Sequence, residues 1–299
     1  SNKPFTFETP FDLISTGTKR FYKENAGKMK KISEIASPAL AGVIREKSSL
    51  AAIAEIKNCI VDGADMIDLH LSCLENADEA TLKAIIGATK RPVLALNYNK
   101  NYDWSDCGLS ENERVNSFLT AVSAGAAGVD MQGYTFDTKS KDAFFGDDKY
   151  SFTKGNPKEI VTDSTVIAKQ CAFIENIHSK GAEVLLSCHP GIAMHCEQVV
   201  ELALFLEKRH PDIIKIVTFA ADENDLTESF KTMAVLKKEV KTPVSYHTNG
   251  ASGNLSRIIN PILGGHILFC VDRYTEGSTM EQLDLKTART IVDNLKKIM

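Results

Sequence analysis

The chain has 299 residues, 25 % of them charged, with the signs mixed and a net charge of −4. That length allows one large domain or two ordinary ones, and the charge balance gives no basic footprint for nucleic acid. No apolar run approaches the ~18–20 residues of a membrane span. The seven cysteines are scattered without a CxxC pair, the pattern of buried thiols in a reducing cytoplasm rather than of a disulfide framework.

Residues 1–37 read as a polar N-terminal extension with no signal-type apolar stretch. Short apolar runs then alternate with longer stretches of helical spacing. Ala39–Arg45 is the first run, and the segment from Ser49 to Ile60 after it has apolar residues at helical spacing. Met66–Leu71 and Pro92–Asn97 follow, then a capping-box signal at Ser110-Glu-Asn-Glu113 and a fourth run at Ala127–Gln132. Residues 133–162 form a connection far longer than the ~2–6 residues usual between a strand and its helix. Its aromatic residues, among them Tyr134, Phe136, Phe144 and Tyr150, stand between charged ones, which fits a lid over a site or a surface insertion. The last four runs are Glu183–His189, Ile213–Phe219, Pro243–His247 and His266–Val271. Gly63, Gly125 and Gly181 fall where helix C-caps belong. Eight strand-helix units predict a single parallel (β/α)8 TIM barrel over residues 38–299, with the extension before it and a long loop after strand 4. An open doubly wound sheet fits less well, because no glycine fingerprint follows the first run.

In such a barrel the loops after the strands build the active site. Asp68, His70, Tyr98, Asp130, Gln132, His189, Lys215 and His247 all lie late in their runs or just beyond them. Asp68 shares a strand face with His70, and Asp130 with Gln132. Lys215 carries the strongest signal, because it sits inside Ile213-Ile-Lys-Ile-Val217, where a buried ammonium is costly without a purpose. Desolvation favours the neutral amine, which attacks carbonyls to form a Schiff base. An edge-strand lysine reaching water is the plainer alternative. His189 ends the preceding run and is suited to move protons beside that amine. The histidines have no zinc-motif spacing, and His195 reads as a surface residue. Asn249-Gly-Ala-Ser-Gly253 is either an anion-cradling turn or a plain loop.

From about residue 38 onward the chain resembles the type I 3-dehydroquinate dehydratases. The pieces that carry the resemblance are Ala-Gly-Val-Ile44, Gly-Ala-Asp-Met-Ile-Asp-Leu69, Arg-Pro-Val-Leu94, Leu-Leu-Ser-Cys-His189, Ile-Ile-Lys-Ile-Val217 and Leu-Ser-Arg-Ile258, in that order. The resemblance implies that Lys215 forms an imine with a substrate ketone, that His189 is the acid and base, and that Arg257 binds the substrate carboxylate. It also marks departures. The family's second strand carries Glu-x-Arg where this chain has Asp68-Leu69-His70, and Tyr98 stands near a family arginine. Thr275 and Thr279 are the nearest counterparts of a serine and a glutamine in the last loop.

These readings give an expected cytoplasmic lyase of the shikimate-pathway type, needing no metal or organic cofactor. It would dehydrate 3-dehydroquinate or a related keto acid, with Lys215 and His189 catalytic. Arg257, Asp68, His70, Tyr98, Gln132, Thr275 and Thr279 would bind substrate. No nucleic-acid or membrane partner is expected, and homodimerisation is left open. With two family arginines absent, Arg257 is the main fixed positive charge, and 3-dehydroquinate is expected to bind weakly. The alternatives are a class I aldolase acting on a sugar or keto acid and a non-catalytic ligand-binding descendant.

Overall fold

A computed structural model describes residues 31–98, 108–137, 160–274 and 281–297. The eight expected strands form one parallel sheet: β1 (Ala39–Ile44), β2 (Met66–His70), β3 (Val93–Leu96), β4 (Gly128–Gln132), β5 (Glu183–Cys188), β6 (Ile213–Phe219), β7 (Val244–Asn249) and β8 (Ile267–Cys270). Each strand pairs with the next in sequence from β1 to β7, and β8 returns to pair with β1. The β7–β8 seam has no ladder. It is bridged by the His266 N–H donating to the Val244 carbonyl at 2.9 Å and the Ile267 N–H donating to Ser245 Oγ at 3.0 Å. The result is a nearly closed (β/α)8 barrel, as the alternation of runs predicts.

A helix follows each strand: α1 (Ser49–Val61), α2 (Glu79–Ile86), α3 (Glu111–Ser123), α4 (Ser164–Ser179), α5 (Cys196–Glu207), α6 (Glu223–Glu239), α7 (Ser256–Leu263) and α8 (Leu285–Leu295). Local chemistry sets many of their starts. Side chains of Ser48, Asp78, Asp163, Asp222 and Asp284 accept N–H groups of the first turn, and Ser110 with Glu113 completes the capping box. Gly63, Gly125 and Gly181 have φ of 101°, 104° and 82°, so each ends its helix in a backbone region where a Cβ would be strained.

Strand alternation divides the apolar residues into two bodies. One lies between the sheet and the helices and includes Leu40, Ile44, Leu69, Val129, Leu186 and Ile214. The other fills the barrel interior, with Ala39, Ala41, Val43, Met66, Leu94, Leu185, Ile213 and Phe269. Gly42 belongs to the outer side, where an added Cβ would stand 2.7 Å from Cys59 Sγ, so helix α1 can approach β1 only over a glycine.

The last residues of the N-terminal extension seal the bottom of the barrel. Ile32 and Ile35 join the interior apolar body. The buried Glu183 carboxylate accepts the Ile32 N–H at 2.6 Å and the Ser33 N–H at 3.1 Å, and it also accepts the Ser33 hydroxyl. His266 Nε2 meets the Ile32 carbonyl at 2.9 Å, and its Nδ1 meets Ser37 Oγ at 2.9 Å. Replacing Glu183 with alanine strips charged acceptors from a buried N–H. We expect a loss of about 2–4 kcal/mol in urea-unfolding stability, since one such hydrogen bond is worth roughly 1.5–3 kcal/mol. A change below about 0.5 kcal/mol would mean that this plug is not held through Glu183.

Candidate active site

At the C-terminal rim the interior changes from apolar to polar. Lys215 is buried on the inner face of β6, paired in register with Ser187 of β5. Its Nζ donates to Asp130 Oδ2 at 3.3 Å and lies 4.6 Å from the centre of the Phe269 ring. The amine therefore rests on the apolar filling of the barrel and faces a carboxylate. It is neither at a sheet edge nor directed to water. Removing one member of a buried pair strands the other charge at a cost of about 3–5 kcal/mol, so Asp130 and Lys215 hold each other in place.

Asp130 is itself fixed from two further directions. Ser187 Oγ donates to its Oδ1 at 2.5 Å, and Gln132 Nε2 donates to its backbone carbonyl at 2.8 Å. Gln132 Oε1 in turn accepts from Arg114 Nη1 at 2.5 Å. Arg114 of α3 is buried, pairs with Glu111 through two 2.8 Å bonds, and donates to the Asn97 carbonyl at 3.1 Å and Thr135 Oγ1 at 3.0 Å. Gln132, expected to contact substrate, has both ends of its amide engaged in this network. It enters the site as a support for Asp130.

His189 lies just beyond β5, and Tyr98 just beyond β3. The Tyr98 hydroxyl is 3.4 Å from His189 Nε2, with the two rings edge to face at 5.9 Å. Among the described residues the Lys215 amine hydrogen-bonds to Asp130 and not to His189. On β2, His70 Nε2 meets Asp68 Oδ2 at 3.2 Å, and the His70 ring lies 6.2 Å from that of Tyr98. Asp68 Oδ1 is buried without a hydrogen-bond partner. A buried acceptor of this kind is costly when empty and is satisfied by a donor on a ligand. Arg257 begins α7 and donates through Nη2 to Asn249 Oδ1 and to Glu281 Oε2, the latter at 2.9 Å, while its buried Nε has no partner. Thr275, Thr279 and residues 138–159 of the long connection lie outside the described residues.

Three residues at this rim were not assigned a role from the sequence. Asp130 was visible there as the same-face neighbour of Gln132, but its partnership with Lys215 requires the barrel. Arg114 had no sequence signal, being one of three charged residues at the start of α3, with Glu111 and Glu113. His247 lies on the inner face of β7, one register step beyond the Ser245 that pairs with Lys215 on that face. Burial, followed by the charges of Arg257, Lys215 and His189, holds its imidazole well below the ordinary value of 6.5. Burial also lowers His70, against the opposing pull of Asp68, so His70 is a neutral imidazole at pH 7 and not the imidazolium that would replace an arginine. The glycine-rich turn after β7 is explained by packing. A Cβ on Gly250 would lie 2.6 Å from the Ala220 carbonyl, and one on Gly253 would lie 2.7 Å from Thr248 Oγ1.

No group of three His, Cys, Asp or Glu side chains is arranged to hold a metal among the described residues. No described helix is long and apolar enough to cross a membrane.

Comparison with known proteins places this geometry. Residues 159–299 match the family model of type I 3-dehydroquinase. That segment holds His189, Lys215 and Arg257, whereas Asp68, His70, Tyr98, Asp130 and Gln132 precede it. A curated 3-dehydroquinate dehydratase from Coxiella burnetii is 27 % identical over 126 residues, which are 41 % of this chain and 52 % of the relative. The alignment thus spans about half the length of the curated relatives it matches. Among solved structures, the type I 3-dehydroquinate dehydratase from Clostridium difficile, solved with covalent modified comenic acid, superposes with a TM-score of 0.71 at 16 % identity, covering 91 % of this chain and 99 % of that one. The 3-dehydroquinate dehydratase from Geobacillus kaustophilus HTA426 gives 0.70 at 14 % identity, covering 90 % and 97 %. The chain therefore resembles the type I 3-dehydroquinate dehydratases in sequence, and it shares the barrel of these neighbours.

The buried histidines give the fold a measurable pH dependence. His247, His70 and His266 all have folded-state values below 6.5, so below that pH the unfolded chain binds more protons than the folded one. Stability should be fully present above about pH 6.5 and fall as pH drops toward the folded-state values, each histidine contributing at most ~1.4 kcal/mol per pH unit. Urea unfolding between pH 7.5 and 5 should show a shallower decline in His247→Gln than in the wild type. Equal slopes would mean that His247 protonates freely in the folded protein.

Proposed function

We propose that this chain is a Schiff-base-forming lyase of the 3-dehydroquinate dehydratase type, which removes water from a β-hydroxy ketone that carries a carboxylate. The observation that carries the reading is the Lys215 amine, buried on the inner face of β6 above an apolar floor and beside Asp130. It lies in the segment that matches the type I 3-dehydroquinase model.

The Lys215 ammonium gives up one proton, the free amine adds to the substrate ketone, and that proton returns to the carbinolamine hydroxyl, which leaves as water and gives an iminium. Its positive charge replaces that of the ammonium at nearly the same place, so the Asp130 carboxylate stabilises both states without moving. Ser187 and Gln132 keep that carboxylate aimed. The iminium draws electrons from the neighbouring carbon, whose proton His189 removes. The resulting enamine expels the β-hydroxyl, which leaves as water with the proton held by His189. A second water hydrolyses the imine and frees Lys215 with the unsaturated product. Tyr98, 3.4 Å from His189, orients the imidazole through this cycle. Arg257 meets the substrate carboxylate with a planar donor set suited to it. The open Asp68 Oδ1 accepts a substrate hydroxyl.

Incubation with 3-dehydroquinate followed by borohydride reduction and peptide mass mapping should place a stable adduct on Lys215 and none in Lys215→Ala. In His189→Ala the adduct should persist while turnover drops by roughly 10²–10⁴, the usual contribution of a positioned acid-base group. An adduct on another lysine, or wild-type turnover in Lys215→Ala, would defeat the reading.

A further inference from the structure

Strand register sets a second imidazole opposite His189. On β5 and β7 the residues Leu186, Cys188, Val244 and Tyr246 belong to the helix-facing body, so their neighbours Ser187, His189, Ser245 and His247 face the barrel interior. Ser187 and Ser245 pair with Lys215 from its two sides. Two residues further along, Val217 pairs with His247, and the step after the Cys188–Ile216 pair sets His189 on its other side. His189 and His247 therefore stand at one level, one layer above Lys215, on strands that flank β6 and lie roughly 10 Å apart. The buried Val217 between them presents only methyl groups.

His247 differs from the other buried polar groups of this rim. Gln132 and Arg114 are tied into the network around Asp130, whereas His247 makes no hydrogen bond among the described residues. A buried polar ring left open in this way is completed by a ligand. The charged and titratable groups that act on it are Arg257 from α7, Lys215 from β6 and His189 from the end of β5.

We infer that His247 is a second catalytic imidazole, which carries the Lys215 proton to the oxygen that leaves the imine carbon and back again on hydrolysis. The inference rests on the lyase reading and divides its proton transfers between two residues. His189 works at the carbon next to the imine, and His247 at the imine carbon itself. His247 takes one proton from the Lys215 ammonium, and the free amine forms the C–N bond as the carbonyl π bond breaks. A second N–H proton passes from nitrogen to the new alkoxide. His247 then protonates that hydroxyl, which departs as water while the nitrogen lone pair closes the iminium. One N–H remains on the iminium, and His247 is neutral again. The charge of Lys215 is among the influences that keep His247 unprotonated. It lapses when the ammonium gives up its proton and returns with the iminium. His247 is thus a better acceptor at the start of the step and a stronger acid at its end.

The test times imine formation alone. In His189→Ala the reaction halts at the imine, so borohydride quenching at intervals after mixing with saturating 3-dehydroquinate, read by mass spectrometry, gives the rate at which the Lys215 adduct accumulates. Adding His247→Gln should slow that rate by roughly 10²–10⁴, the usual contribution of a positioned acid-base group, with the final adduct fraction and the half-saturating concentration unchanged. Imidazole in the buffer should restore much of the rate to a His189→Ala/His247→Ala protein. Equal rates with and without His247 overturn the inference and leave the lyase reading standing. A lowered final fraction or a raised half-saturating concentration at an unchanged rate also overturns it, since His247 then only binds or packs. Slowing that imidazole does not relieve in the alanine variant counts against it as well. A wild-type protein that forms no Lys215 adduct removes the lyase reading, and the role of His247 with it.

Discussion

The Asp130 carboxylate is the constraint on which the rest of the rim depends. A lysine amine inside a barrel of isoleucine, valine and leucine is unstable unless an anion shares its enclosure, and that anion must itself be held. Here a single carboxylate receives Lys215, Ser187 and the Gln132 amide from three adjacent strands. Parallel strands with a two-residue side-chain period make this possible. Asp130, Ser187 and Lys215 face inward, and neighbouring strands lie only about 4.8 Å apart. Arg114 extends the network outward to α3, so a helix on the outer shell fixes the position of an atom at the centre.

The polar rim and the apolar filling depend on each other. Phe269, Val43 and Leu94 exclude water from beneath the amine, which strengthens every electrostatic contact above them. The same dryness explains why His247 and His70 are neutral. An imidazolium would have to lose its hydration within reach of Lys215 and a guanidinium. The rim therefore concentrates its fixed positive charge in one lysine and a few arginines.

Much of this was legible in the sequence for physical reasons that can be named. Fully covered parallel strands are written as short apolar runs, and all eight could be placed because Gly63, Gly125, Gly181 and the Ser110–Glu113 box marked the boundaries between them. Lys215 stood out because charge inside an apolar run is anomalous, and Asp68 with His70 because the strand period is two. What could not be read was partnership across strands. Nothing in Gly128-Val-Asp-Met-Gln132 says that the aspartate meets a lysine 85 positions later, or that the glutamine's amide is taken up by an arginine on the preceding helix.

The plug beneath the barrel bears on how the chain comes to be folded. Ile32 bonds to a carboxylate 151 residues away and an imidazole 234 residues away, and β1 pairs with β8. As the chain leaves the ribosome, the first strand and the segment before it wait for partners synthesised as many as 234 residues later. Contacts of such span slow folding, since loop closure precedes any gain from them. Until β8 appears, the apolar faces of Ala39, Ala41 and Val43 lack their final neighbours. The nascent barrel is then an open, curved sheet with two unpaired edges, a state in which a chaperone has something to bind.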